Sequence, residues 1–270
     1  MKNLVCAGGG TKAFYYLGII KSLEEHNLLE EIENMCGTSC GSMIVIALAL
    51  NYSYDELYNI FKDYDLKNVL NCDIFNIFTN YSMYGNDILR KILKILIKYK
   101  TNKERLSMKE LCEYSKKKIY IIATNIESGE EKIFNRENDG DMDIIDIVCA
   151  SCALPMIFPI VEINKNKYVD GCFMNNYPLD IFKDDLDNTI GIEIESFCNS
   201  RKISSFYDYI INLLLIMCKQ SGTHKHLKKA KKYIFIENKE CASNFEITNE
   251  KKKEMINIGY KKCNDILNYS

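Results

Sequence analysis

The sequence is short of the residues that several protein classes depend on. It has 270 residues with no tryptophan, three prolines and three histidines, and 35 Lys and Arg against 37 Asp and Glu give a net charge of −2. Three prolines with 13 glycines exclude collagen-like and linker-like chains. Near-neutral charge argues against nucleic-acid binding, because a phosphate backbone calls for a basic surface. No stretch reaches the roughly 18 apolar residues that a membrane span needs.

What the sequence does contain indicates a globular protein. Apolar residues make up 47 % of the chain, enough to fill a sizeable core. The 12 cysteines are expected to be reduced and mostly buried, because a chain of this length does not need a disulfide scaffold. Cys149 and Cys152 lack the second cysteine pair of a zinc site, and no calcium loop occurs. We therefore expect no metal and no cofactor. We expect the protein to be cytoplasmic, with peripheral attachment to membranes as the alternative.

Apolar runs typical of strands alternate with helical patterns along the whole chain, which predicts an α/β fold. Ser53 and Glu56 form a sequence typical of a capping box at a helix start. Two apolar helical segments, 85–99 and 210–218, are expected to pack in the core, with a membrane-surface role as the alternative. The predicted strands are 2–7, 32–36, 118–124, 131–135, 167–169, 189–194 and 233–237, and the predicted helices are 11–29, 43–50, 53–64, 86–99, 108–114, 143–152, 206–219 and 249–267.

The predicted architecture is a single three-layer domain with a largely parallel central sheet flanked by helices. Residues 2–183 would form its core, and residues 184–270 would add C-terminal strands and helices to the same domain. No internal repeat or linker divides the chain.

The strongest local signal is a G-x-S-x-G sequence between a predicted strand and a predicted helix. It consists of Gly37, Thr38, Ser39, Cys40 and Gly41. A nucleophilic serine at such a turn has a strained backbone, so its neighbours must be small. The amides at the start of the following helix favour a forming oxyanion. The motif predicts Ser39 as a nucleophile.

Three consecutive glycines, Gly8, Gly9 and Gly10, follow the first predicted strand. Their unshielded backbone N–H groups suit an anion. A plain tight turn is one alternative, and a dinucleotide-binding loop is another. The latter requires an acid near the end of the second strand, where the G-x-S-x-G motif stands instead. A P-loop is excluded because no G-K-[ST] follows.

An acidic residue and a glycine, Asp170 and Gly171, follow the strand predicted at 167–169. All three prolines, Pro155, Pro159 and Pro178, lie near them. Because proline fixes φ, the segments on both sides of Asp170 are expected to be stiff. This suits a carboxylate that must be placed accurately, although the same residues could simply stabilise a loop.

The order and spacing of these three motifs resemble the patatin-like phospholipase family. The stretches IIATNIESGEEKIF and ASCALPMIFP, and the sequence NNYP after Asp170, resemble further elements of the family. The resemblance covers about residues 2–182. The chain departs from the family at Ala13, where glycine is usual, and at Cys172, where glycine or alanine is usual.

The resemblance implies a patatin-like fold and a lipid acyl hydrolase of the phospholipase A or lysophospholipase type. Ser39 would be the nucleophile, Asp170 the proton acceptor, and the amides of Gly8, Gly9 and Gly10 the oxyanion hole. The partners would be a lipid substrate and, transiently, a membrane or micelle surface. A neutral-lipid esterase or lipase, and a catalytically silent lipid-binding or storage protein of the same fold, remain alternatives.

The scarcity of histidine bears on the mechanism independently of the resemblance. His26 lies in a polar stretch near a helix end, and His224 and His226 lie in a polar basic segment. The order Ser, Asp, His leaves a triad open, but the glycine loop and the setting of the acid favour a dyad. An aspartate with the reference pKa of ~3.9 is a weak base. We therefore expect burial without a cationic partner to raise the pKa of Asp170.

Overall fold

The sheet at the centre of the molecule orders its strands β5-β6-β3-β2-β1-β7-β8, with β4 paired to β3 outside this path. The computed structural model describes residues 1–62, 82–85, 87–195, 203–204, 206–221, 230–237 and 247–268. The strands are β1 (Asn3–Cys6), β2 (Asn34–Thr38), β3 (Lys118–Asn125), β4 (Glu130–Phe134), β5 (Val161–Ile163), β6 (Asn166–Asp170), β7 (Thr189–Ile194) and β8 (Lys232–Ile236).

Strand β1 lies in the middle of the sheet, parallel to β2 on one side and to β7 on the other. Strands β3 and β8 continue the parallel arrangement outward. Strands β4 and β6 are antiparallel to β3, and β5 is antiparallel to β6. All four residues of β1 are buried, as expected of a strand covered on both faces of a parallel sheet. The predicted α/β fold with a largely parallel sheet is confirmed.

The helices are interleaved with these strands. They are α1 (Phe14–Glu25), α2 (Leu28–Glu31), α3 (Cys40–Ala49), α4 (Tyr54–Phe61), α5 (Asp87–Thr101), α6 (Met108–Ser115), α7 (Arg136–Asp139), α8 (Ile144–Ser151), α9 (Cys172–Asn175), α10 (Phe206–Ser221) and α11 (Asn249–Asn268). Short 3-10 turns span Gly10–Ala13, Leu179–Phe182 and Leu186–Asn188. None of the helices in the described part of the chain combines the length and hydropathy needed to cross a bilayer.

The start of the chain after β1 differs from the single helix predicted at 11–29. A 3-10 turn precedes α1, and α1 ends at Glu25. Asn27 then adopts a left-handed conformation with φ 56°, which interrupts an α-helix and which asparagine tolerates better than most residues. The capping box at α4 is confirmed: Ser53 Oγ accepts from the amide of Glu56, and Glu56 Oε2 accepts from the amide of Ser53 at 2.8 Å.

The two apolar helices that were expected to pack in the core behave differently. Helix α5 buries its apolar face and exposes Lys91 and Lys94, so the prediction is confirmed for α5. Helix α10 buries Ile211 and Cys218 but leaves other apolar residues in solvent. The prediction is therefore wrong for one face of α10, because α10 has more apolar side chains than the neighbouring elements cover. The exposed residues are Tyr209, Leu213, Ile216 and Met217.

Residues beyond 183 complete the same sheet. Strand β7 pairs with β1, and β8 pairs with β7. Helix α11 packs along α1 and against β8. The C-terminal third therefore contributes the strands at one edge of the sheet. The G-x-S-x-G motif lies elsewhere, at the carboxyl end of β2.

Candidate active site

Ser39 lies at the sharp turn between β2 and α3. Its backbone has φ 52° and ψ −128°, a region that non-glycine residues rarely adopt and that stores strain. Three hydrogen bonds hold the turn. The amide of Ser39 donates to Ser151 Oγ at 2.9 Å, and the carbonyl of Ser39 accepts from both the amide and the hydroxyl of Ser42. This is the strained strand-to-helix turn that the sequence motif predicts.

The glycines of the motif are required by close backbone approach. A Cβ on Gly41 would come within 2.2 Å of the Cys6 carbonyl oxygen, and one on Gly37 within 2.6 Å of the Gly41 carbonyl oxygen. Neither distance is compatible with a side chain. The turn can therefore lie directly on the end of β1 only because both positions lack one.

Asp170 is the last residue of β6 and faces Ser39. Its Oδ2 accepts a hydrogen bond from Ser39 Oγ at 2.7 Å, and its Oδ1 accepts from the amide of Cys172 at 2.9 Å. Strand β6 reaches this position because Gly171 lies against β3, where a Cβ would come within 2.4 Å of the Ile122 carbonyl oxygen. The two residues predicted to act together, 131 positions apart in the sequence, are in direct contact.

Asp170 is only 2 % exposed. Burial raises the pKa of Asp170 to about 6, although the hydrogen bonds from Cys172 and Ser39 act in the opposite direction. Burial disfavours the charged form of a carboxyl group. Lys167, the basic residue nearest in sequence, is exposed and lies 3.3 Å from Glu127 instead. The structure agrees with the expected rise in the pKa of Asp170.

The glycine loop lies beside the same turn. The amides of Gly9 and Gly10 face the sulfur of Cys40, the residue that follows Ser39. Gly10 has φ 58°, which glycine adopts without strain. The amide of Gly8 instead donates to the carbonyl of Asn176 at 3.1 Å. The amide of Gly8, which was expected to contribute to an oxyanion hole, is therefore directed at the backbone of Asn176 and not at the Cys40 side chain.

Two residues that support the site had no role assigned from the sequence. Ser151 accepts from the amide of Ser39 and donates to the carbonyl of Ile122 at 2.6 Å. Lys12 is buried, and its ammonium donates to the carbonyl of Glu195 at 2.6 Å, at the end of β7. Ser151 belongs to the stretch ASCALPMIFP, and Lys12 lies two residues after the third glycine of the loop. The contacts of Ser151 with Ser39 and of Lys12 with Glu195 join residues more than 100 positions apart, so no local pattern could have revealed them.

An apolar cavity of about 200 Å³ begins at Ser39 and Asp170. Residues from α1, α3, α4 and α5 form its walls, and nearly all of them are apolar. The residues include Phe14, Leu17, Met43, Leu57, Ile92 and Leu96. A cavity with this lining and two polar groups at one end suits a ligand with a long apolar part and a reactive polar part.

The remaining candidates fall outside this arrangement or outside the described residues. His26 hydrogen-bonds the carbonyl of Ser22 at the end of α1. His224 and His226, the candidates for a triad, lie outside the described residues. Within the described ranges, no group of three or more His, Cys, Asp and Glu side chains could hold a metal ion.

The fold and this geometry define an α/β protein with a serine at a nucleophile-type turn, facing a buried carboxylate. A family model described as patatin-like phospholipase matches residues 4–183. Because this match spans well over half of the chain, the protein belongs to the patatin-like phospholipase family. The predicted family is confirmed, and with it the expectation of a lipid hydrolase.

Individual relatives agree with this assignment. The uncharacterised protein R571 of Acanthamoeba polyphaga mimivirus is 30 % identical over 82 % of this chain and 77 % of its own length. The probable lipid hydrolase 463L of Invertebrate iridescent virus 6 is 29 % identical over 67 % of this chain and 62 % of its own. VipD from Legionella pneumophila superposes with a TM-score of 0.69 at 14 % identity, over 99 % of this chain and 66 % of VipD. The last similarity concerns the fold alone.

Proposed function

We propose that the protein cleaves fatty-acyl ester bonds of phospholipids, as a phospholipase A or lysophospholipase, with Ser39 and Asp170 as its catalytic dyad. One observation carries the proposal: the hydroxyl of Ser39 donates directly to the buried carboxylate of Asp170 at 2.7 Å, at the end of an apolar cavity. The contact leaves no space for an imidazole between the two groups, which favours a dyad over a triad.

In the first half of the reaction, Ser39 Oγ attacks the ester carbonyl carbon while Asp170 takes the hydroxyl proton. The leaving alcohol then receives that proton, and the acyl group remains as an ester on Ser39. In the second half, water attacks the acyl-enzyme and gives its proton to Asp170, which returns it to Ser39 as the fatty acid leaves. A carboxylate whose pKa is about 6 is a better general base near neutral pH than an exposed aspartate.

The negative charge that develops on the carbonyl oxygen requires preorganised donors. The amides of Gly9 and Gly10 face the Cys40 side chain next to Ser39, and we assign them as the oxyanion hole. The start of α3 lies at the same place, where its N-terminal amides also favour negative charge.

The cavity supports a fatty-acyl substrate. Its apolar walls would remove the acyl chain from water, with the ester carbonyl held near Ser39. The apolar walls do not distinguish a phospholipid from a neutral glyceride, since both carry fatty-acyl chains. Hydrolysis of neutral lipid is therefore the competing activity, and binding without hydrolysis is the non-enzymatic alternative.

A lipid surface is the proposed site of action. Helix α10 packs against α9, the short helix that follows Asp170, and its outer face exposes Leu213 and Met217. We expect these exposed side chains to enter a membrane or micelle next to the active site. Sedimentation with phosphatidylcholine vesicles measures this contact, and we expect Leu213→Glu to reduce the bound fraction several-fold without changing hydrolysis of a short, water-soluble ester.

A fluorophosphonate probe tests the nucleophile. We expect it to label Ser39 and no other serine in the folded protein, and Ser39→Ala to abolish both labelling and ester hydrolysis. Ser128→Ala, which alters an exposed serine in the turn after β3, is the matched control. Labelling that persists in Ser39→Ala would exclude this serine as the nucleophile.

Two further measurements separate the alternatives. Replacing both His224 and His226 with alanine is expected to leave hydrolysis largely intact, whereas its loss would indicate a triad. Release of fatty acid from phosphatidylcholine micelles is expected to exceed release from a triolein emulsion. The reverse order would assign the protein as a neutral-lipid lipase, and no release from either, despite correct folding, as a lipid-binding protein.

A further inference from the structure

Two cysteine sulfurs from distant parts of the chain meet next to the catalytic aspartate. Cys172 is the first residue of α9, and Cys218 lies in the last turns of α10, 46 positions later. Their Sγ atoms are 2.7 Å apart, and both residues are buried, at 7 % and 5 % exposure. A disulfide requires a sulfur separation of about 2.05 Å. Small side-chain rotations would therefore bring these two atoms to bonding distance.

The position of the pair makes it the link between α10 and the active site. Helix α10 packs on α9, and the opposite face of α10 is exposed. The amide of Cys172 donates to Asp170 Oδ1, and its thiol also hydrogen-bonds the Asp170 carboxylate. A covalent bond at this point would therefore connect α10 directly to the segment that carries Asp170.

We propose that Cys172 and Cys218 form a reversible disulfide when the protein meets a peroxide. One thiol is oxidised by hydrogen peroxide to a sulfenic acid, releasing one water. The second thiol attacks that sulfur, forming the S–S bond and releasing a second water. In total, two thiols and one peroxide give one disulfide and two waters. A dithiol such as dithiothreitol reverses the bond by exchange.

The chemical setting makes this a slow, conditional modification rather than a permanent bond. Burial, with a contribution from the negative charge of Asp170, raises the pKa of the Cys172 thiol. The thiolate is the reactive form, so Cys172 stays a thiol until an oxidant is in excess. Bond formation closes a loop of 46 residues, which restricts the unfolded chain and stabilises the fold.

Mass spectrometry tests the bond without depending on catalysis. The intact protein is treated with hydrogen peroxide, alkylated with iodoacetamide and digested with trypsin without reduction. Cleavage after Lys and Arg yields peptides 168–183 and 203–219, each with a single cysteine. We expect these two peptides joined, two hydrogen masses below their sum, and separated again by dithiothreitol. Recovery of both as separate alkylated or over-oxidised peptides from folded protein would refute the proposal.

Matched variants define the pair. Cys218→Ser is expected to prevent the cross-link, and Cys263→Ser, at a buried cysteine of α11, is expected to preserve it. The melting temperature of the oxidised protein should rise by roughly 5–10 °C, and this rise should be absent in Cys218→Ser. A cross-link that survives in Cys218→Ser, or joins other peptides, would contradict the assignment.

The effect on activity rests on the proposed function. Oxidation removes the thiol hydrogen that Cys172 donates to Asp170, so hydrolysis by the cross-linked protein should fall about two- to tenfold and recover on reduction. A cross-link with unchanged hydrolysis would refute this effect on Asp170 and leave the disulfide itself standing. If the protein has no hydrolase activity at all, the peptide masses still decide whether the bond forms.

Discussion

Asp139 and Asp170 are both buried aspartates, and their surroundings are opposite. Asp139, at the end of α7, has a side chain that is 2 % exposed and lies 2.7 Å from the ammonium of Lys132. Its other oxygen accepts from the amide of Asn135 at 3.1 Å. Asp170 is equally buried, but the contacts of its carboxyl oxygens in the described structure are with Ser39 and Cys172, which carry no charge.

The difference separates a carboxylate that stabilises the fold from one that can perform chemistry. The ammonium of Lys132 compensates the charge of Asp139. Without such a partner, burial raises the pKa of Asp170 to about 6, so that accepting a proton becomes favourable near neutral pH. Only uncharged groups, the hydroxyl of Ser39 and the amide and thiol of Cys172, compensate the desolvation of the Asp170 carboxylate.

Replacing the unpaired carboxylate should give the largest effect. We expect Asp170→Asn to reduce kcat/KM by about 10³-fold or more, because the amide cannot accept the proton of Ser39. The same change removes a buried charge, so the free energy of unfolding at pH 7 should rise by ~1–3 kcal/mol. Ester hydrolysis and urea denaturation measure the two quantities. Retained hydrolysis, or a large loss of stability, would place Asp170 with Asp139 as a structural residue.

The pH dependence should be the next largest effect. The pKa of Asp170 is raised from 3.8 to about 6, so the ionised base is present above that pH and lost below it. We expect kcat/KM to fall about tenfold per pH unit below about pH 6. Stability should change in the opposite sense, because the folded state binds this proton more tightly than the unfolded state. Wild-type protein should thus approach the stability of Asp170→Asn as the pH falls from 7 to 4. A rate that is flat to pH 4 would contradict the proposed base.

Replacing the paired carboxylate should change stability and leave catalysis nearly unaffected. We expect Asp139→Asn to lower the free energy of unfolding by ~1–3 kcal/mol, since it leaves Lys132 without its partner, and to keep kcat/KM within about twofold of wild type. Denaturation with parallel rate measurements tests this. An Asp139→Asn variant that is as stable as wild type but inactive would contradict the assignment of Asp139 as a structural residue.

The sequence predicted the parts of the molecule that depend on local patterns. The capping box at Ser53 and the strands β3 and β7 follow from residues that are neighbours in the chain. Strand β5 and helix α9 were not predicted, because three or four residues carry no detectable periodicity. The exposed face of α10 was also missed, since an apolar helix reveals its composition but not what covers it.

The candidate site likewise has features that local sequence patterns predicted and features that depend on contacts across the fold. The motifs identified Ser39 and Asp170 as candidates, and only the resemblance to a family implied that they act together. The engagement of the Gly8 amide by Asn176 depends on a contact across the fold. The bond between the amide of Ser39 and Ser151, 112 positions later, could not be deduced from either motif by itself.

That last bond has a consequence for how the protein acquires its reactivity. The hydroxyl of Ser151 connects the turn at Ser39 to the Ile122 carbonyl of β3, so one of the three hydrogen bonds that hold the strained turn forms only after α8 has docked on the assembled sheet. A nascent or truncated chain that ends before residue 151 contains the whole G-x-S-x-G motif but lacks this bond, and it also lacks Asp170. Covalent labelling of Ser39 would therefore report that the chain has been synthesised and folded at least as far as α8.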